Sequence, residues 1–139
     1  MKDVFDRISI GTMTVRNRLM MSAMVTNYCT EQGEITERLI DYHAERAKGG
    51  VGLIETEAAY VHPGGKGYTR QLGIYRDDLV TGLRELVNAI HRHGASVSVQ
   101  IYHAGRRTSK KLTGYDVISA SSIACFQGST PPKGMIIAA

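Results

Sequence analysis

The chain has 139 residues, 42% of them hydrophobic and 22% charged, with a formal net charge of +4; that suffices for one modest domain with a core. The basic residues are dispersed and no basic cluster interleaves with aromatics, which argues against a nucleic-acid partner. No apolar run approaches the roughly 20 residues of a membrane span, and the start, Met1-Lys2-Asp3-Val4-Phe5-Asp6-Arg7, lacks the apolar core of a signal peptide.

Cys29 and Cys125 stand far apart and form no Cys-x-x-Cys pair. That argues against a metal site within the chain and for a reducing compartment, so a cytoplasmic location is expected.

In chain order, Ile8–Val15 reads as a hairpin turning at Gly11-Thr12. Leu19–Met24 is a nearly continuous apolar run, the pattern of a strand buried on both faces, and its methionines are expected in the core. Thr36 suits a helix N-cap with Glu37 in the first turn, and Leu39, Ile40, His43, Ala44 and Ala47 then form one helical face. Gly49-Gly50 stop that helix, and Val51–Ala58 reads as the next strand.

The loop Gly64-Gly65-Lys66-Gly67 resembles a phosphate cradle only loosely, because it lacks the strand-to-helix setting. Asp77 is the expected cap of a second helix, whose stripe is Leu79, Leu83, Leu86, Val87 and Ile90. His91-Arg92-His93 fits the end of that helix and Gly94 its stop, rather than a metal site.

Ser96–Tyr102 alternates with period two and runs into the turn His103-Ala104-Gly105-Arg106. Val97, Val99 and Ile101 suit packing under a helix, while Ser98, Gln100 and Tyr102 point the other way. His103 reads as a turn histidine. Beyond Arg107 the chain is irregular, with a brief extended piece at Val117–Ser122 and an apolar end, Met135–Ala139.

The order hairpin, β, α, β, α, β implies parallel strands with right-handed crossovers. A doubly wound dinucleotide fold carries a glycine-rich turn after its first strand, and Met24–Tyr28 contains no glycine. The fold expected is therefore α/β, a partial TIM (β/α)8 barrel. It comprises an N-terminal hairpin and about the first three βα units. Such barrels keep their chemistry at the C-terminal strand ends. Gln100, a rigid amide with donors and an acceptor, stands near such an end.

Several pieces of the sequence resemble one family. They are Ile8-Ser9-Ile10-Gly11 with Val15-Arg16-Asn17-Arg18, Ser22-Ala23-Met24, Tyr42–Ile54, Leu72-Gly73-Ile74-Tyr75, and Val99–Arg106. In this order they are similar to the Old Yellow Enzyme-like flavin oxidoreductases, and more narrowly to the branch of dienoyl-CoA, enoate and bile-acid enone reductases.

The resemblance implies a barrel that holds FMN at its C-terminal mouth. NAD(P)H reduces the flavin, which passes hydride to the β-carbon of an activated alkene, a small-molecule substrate. By position, Ser22, Ala23, Met24 and Val25 would line the flavin, largely through backbone groups. Ala58 would lie near the ring, and Gln100 would bond its pyrimidine edge. Asn27 or Tyr28 would approach the substrate.

Three departures accompany the match. Val25 stands where relatives often carry a hydrogen-bonding side chain. Glu55 stands where the family usually has an apolar residue; with Glu57 it reads as a salt-bridged or solvent-facing pair on one strand face. The chain also ends after about three of the eight strands, so residues 1–139 are expected to be the N-terminal portion of a flavin-binding barrel. The histidine pair that anchors the substrate, the phosphate loops and any 4Fe-4S cluster would lie beyond residue 139. No catalytic or metal residue is assigned within the chain. The alternative is a non-catalytic βαβαβ module that associates with itself or a second chain through its open strand edges.

Overall fold

The computed structural model describes residues 3–127 and 129–135; the apolar end expected at 136–139 lies outside them. Ile8–Ile10 (β1) and Met13–Val15 (β2) pair antiparallel as the expected hairpin. Gly11 makes the turn at φ +59°, a backbone region that glycine enters without strain.

Three strands then form a parallel sheet in chain order: Met20–Met21 (β3), Leu53–Tyr60 (β4) and Ser96–Tyr102 (β5). Between them run the helices Glu37–Lys48 (α1) and Val80–Arg92 (α2). Each strand pairs with the one before it, and both helices pack on one another and on the same side of the sheet. A doubly wound sheet reverses its strand order and covers both faces. This arrangement is the repeating unit of a (β/α)8 barrel, so the expected partial barrel with parallel strands is the fold observed.

The core lies between sheet and helices, where Ala47, Ile54, Leu86, Ile90 and Ala95 meet. A second cluster of Cys29, Leu39, Ala59 and Leu72 sits nearer the C-terminal strand ends. In α1 the Thr36 hydroxyl accepts from the Leu39 amide at 3.4 Å, and Leu39, His43 and Ala47 are buried, as the spacing predicts. Asp77 does not cap the second helix. It lies inside a 3-10 turn, Asp77–Leu79, and α2 follows with no side-chain cap. The neighbouring Arg76 instead pairs with Asp78 at 2.8 Å and Glu34 at 3.2 Å.

The run Leu19–Met24 is also less buried than its sequence predicts. Met20 and Met24 are 54% and 51% exposed, and two residues join the sheet ladder. β4 flanks one edge of β3, and among the described residues no strand lies on the other.

The segment after the hairpin closes the N-terminal end of the sheet, where Asn17 donates to the Gly50 carbonyl at 2.7 Å. Arg16 donates to the carbonyls of His93 (2.5 Å), Ala47 (2.6 Å) and Val51 (2.8 Å), tying the ends of α1 and α2 together. Ala47 and His93 stand at the C-terminal ends of α1 and α2, where carbonyls carry partial negative charge that a guanidinium complements, and Val51 follows α1.

After β5 come a short helix, Lys110–Thr113 (α3), and a small parallel pair, Ile118–Ser119 (β6) with Lys133–Gly134 (β7). The extended piece expected near Val117–Ser122 is thus a two-residue strand.

Candidate functional site

Parallel strands that share a face bring their C-terminal ends to one rim. In β5, Val97 packs toward the helices, so Ser98 and Gln100 occupy the opposite face. Glu55 lies opposite Ser98, and Ala58 lies opposite Gln100. Between these two pairs β4 carries one extra residue, a β-bulge. Ser22, Ala23, Met24 and Val25 leave the end of β3 alongside. The structure therefore gathers the six residues Ser22–Val25, Ala58 and Gln100 at the C-terminal ends of three adjacent strands.

Gln100 is exposed, and its amide takes part in no described hydrogen bond. Ala58 beside it is small and buried. An open amide with donors and acceptor, next to a methyl group and a row of backbone, fits the edge of a flat heterocycle bearing both kinds of partner.

Asn27 and Tyr28 part company. Asn27 is exposed in a left-handed conformation, φ +57°. The Tyr28 ring lies 3.8 Å beneath the Arg38 guanidinium and edge-on to Tyr42, both on α1. With Tyr28 held on the helix layer, Asn27 is the side chain open to solvent at that end.

Glu55 and Glu57 do not form the expected pair. Glu55 is half-buried, whereas Glu57 is fully buried, neither salt-bridged nor solvent-facing. Its Oε2 accepts from the Thr26 amide (2.8 Å) and hydroxyl (2.5 Å), and its Oε1 accepts from the Leu72 amide (3.0 Å). The bulge is the physical reason for the error. One inserted residue ends the two-residue alternation that put both carboxylates on one face.

Other residues of this rim carry no sequence signal that singles them out. Buried Gln71 donates to the Ala58 carbonyl at 2.6 Å and accepts from the Gly67 amide at 2.8 Å. Tyr60 stacks on Tyr75 at 5.0 Å and donates to the Gln32 carbonyl at 3.0 Å. Gly33, at φ +84°, passes so close that a Cβ would lie 2.5 Å from the Tyr60 hydroxyl. Cys29 is buried, and its pKa is pushed up to about 12 by burial first and by Glu57 second, so it stays a thiol.

His62 and His103 each accept a bond from the amide two residues on, at 3.0 Å, the local bonding of turn histidines. They border a hollow of about 600 Å³ with Ile118 and Ser119. None of the residues assigned to a flavin by resemblance lines it.

Residues 3–130 match the model of the NADH:flavin oxidoreductase / NADH oxidase family. The chain belongs to that family. An NADH oxidase of Thermoanaerobacter brockii is 39% identical over 137 residues, covering 97% of this chain and 21% of the relative. A 2-naphthoyl-CoA reductase in complex with 2-naphthoyl-CoA superposes with a TM-score of 0.88 at 30% identity, over 96% of this chain and 22% of that one. The Old Yellow Enzyme homologue of Zymomonas mobilis gives 0.83 at 27% identity, over 95% and 38%. The chain thus spans between about a fifth and two-fifths of the length of these relatives. The family match agrees with the open rim, whose donor set suits the flavin that the family name carries.

Proposed function

We propose that residues 1–139 form the N-terminal arc of an FMN-dependent oxidoreductase that reduces activated alkenes, enones or enoyl and dienoyl thioesters, with NAD(P)H. FMN, when bound, supplies a ring that accepts hydride from the nicotinamide and gives it up to the alkene. The chain's own residues bind and orient. Ser22–Val25 offer backbone groups, Ala58 leaves room for the ring, Gln100 pairs with its pyrimidine edge, and Asn27 or Tyr28 borders the substrate side, Asn27 being the more open. The observation that carries this reading is the convergence of Ser22–Val25, Ala58 and the Gln100 amide, which has no partner among the described residues, on one exposed rim.

The test is an FMN titration of the chain followed by flavin fluorescence. The chain alone is expected to bind weakly, above micromolar, because three strands offer part of a flavin's contacts. Gln100→Ala is expected to weaken binding about tenfold, the value of a lost pair of hydrogen bonds to a polar ring. Equal affinity in the variant would remove Gln100 from the site, and submicromolar affinity of the wild type would contradict the partial-site reading.

A second reading has one observation in its favour. Val99 and Ile101, on the helix-facing side of β5, are 44% and 72% exposed, and no described helix covers them. The open strand would then pair with a second copy of the chain, and the oligomeric state decides it.

A further inference from the structure

We propose that Glu57 is a positioning residue: its buried carboxylate sets the path of the segment Ser22–Tyr28 and so the fit of that segment to its cofactor. The inference rests on the flavin reading above. It starts from how little else holds this stretch. β3 ends at Met21, and the next described backbone-to-backbone bond along the chain is that of the Cys29 amide to the Arg70 carbonyl, at 3.2 Å.

Between those points one cluster does the tethering. Thr26 gives both its amide and its hydroxyl to Glu57, and the Thr26 oxygen in turn accepts from the Tyr28 amide at 3.2 Å. The Tyr28 carbonyl accepts from the Thr36 hydroxyl. The other oxygen of Glu57 takes the Leu72 amide, and the Leu72 carbonyl accepts from the Tyr60 amide at 3.0 Å. One carboxylate therefore joins the end of the first parallel strand to the chain that closes over the second.

A carboxylate suits this place because every partner is a donor. An ionised carboxylate accepts at both oxygens, and bonds to charged acceptors are the strong ones. Burying a charge without such partners is costly, and Glu57 is 0% exposed. Glutamine has the same shape but turns an NH2 toward either Leu72 or Thr26, a donor against a donor. The bulge in β4 is what carries Glu57 into this position.

The segment it fixes bears Val25 and Asn27 on either side of Thr26. A shift of Thr26 by even an ångström displaces both neighbours, which is the scale at which bound geometry is lost. Glu57 touches no cofactor in this account; it acts through Thr26.

The experiment compares wild type, Glu57→Gln, Thr26→Val and Thr26→Ser, each checked for folding by circular dichroism. Two readouts are taken. Amide proton shifts and exchange at Thr26 and Leu72, recorded without flavin, report the clamp itself. FMN affinity by ultrafiltration reports its consequence.

The expected result is downfield, protected amides at both positions in wild type. Protection of the residue-26 amide should fall at least tenfold in Glu57→Gln and to a smaller extent in Thr26→Val, which keeps that amide and loses the hydroxyl. FMN affinity should fall five- to tenfold in the same two variants, and Thr26→Ser, which keeps both donors, should recover most of it. If Glu57→Gln does not fold, Thr26→Val against Thr26→Ser carries the comparison. Folded variants that lose the amide protection yet bind FMN as wild type would overturn the proposal. Unprotected Thr26 and Leu72 amides in wild type would show that the clamp is absent. Wild type that takes up no FMN while its amides are protected would sink the flavin reading, and the positioning role with it, but not the clamp.

Discussion

His43 sits on the buried stripe of α1 with neither ring nitrogen paired to a described group. Burial, with a smaller push from Arg46, lowers its pKa from 6.5 to about 4. The folded state therefore resists a proton that the unfolded chain accepts. Stability from this group is full above pH 6.5 and is lost as the pH falls toward about 4. Linkage puts the loss at about 2 kcal/mol between pH 7.5 and pH 5. Urea unfolding of wild type and His43→Leu at both pH values checks this: the variant should lose about 2 kcal/mol less on acidification. Equal losses would show that His43 titrates alike in both states. The place of His43 on an apolar face was legible from spacing alone, since i, i+3 and i+4 positions share a helix side. Glu57 was not, because no local pattern announces a bulge, and one inserted residue turns an apparent surface carboxylate into a buried acceptor.

The elements divide in the same way. Thr36 and Gly94 end their helices as read, because their bonds are local: the cap of α1 is made within three residues, and Gly94 takes φ +74° just past α2. Asp77 failed as a cap because a 3-10 turn precedes α2, and Arg76 there is engaged by Glu34, 42 residues earlier. Strand β5 was read correctly in direction and alternation, but its cover was not. Val97 packs against the core, while Val99 and Ile101 face solvent on a strand that pairs with β4 along one edge and with no described strand along the other. Such an edge invites pairing, and a lysine on it is a natural deterrent. Under the second reading, sedimentation equilibrium of the chain shows self-association, and Ile101→Lys weakens it at least tenfold. A wild-type chain that remains monomeric at all concentrations would contradict the reading of β5 as a sticky edge.

At the scale of the molecule, sheet order carries the argument. Strands in sequence order, parallel, with both helices on one side, curl toward a barrel, and closing it takes eight strands. The sequence revealed this arc through hydrophobic period and helix stops, and the family match over residues 3–130 agrees with it. The roles proposed for Ser22–Val25, Ala58 and Gln100 come from resemblance alone; what the fold adds is that three strand ends bring these residues to one open rim. The Thr26–Glu57–Leu72 junction beneath that rim joins residues up to 46 positions apart, too distant for any motif to announce. Mapping amide shifts of the chain on addition of FMN tests the central claim most directly. Shifts concentrated at Ser22–Val25, Ala58 and Gln100, with Arg16 and the α1 and α2 C-terminal turns silent, are the predicted result. Shifts confined to the hairpin end, or none at any FMN concentration, would contradict it.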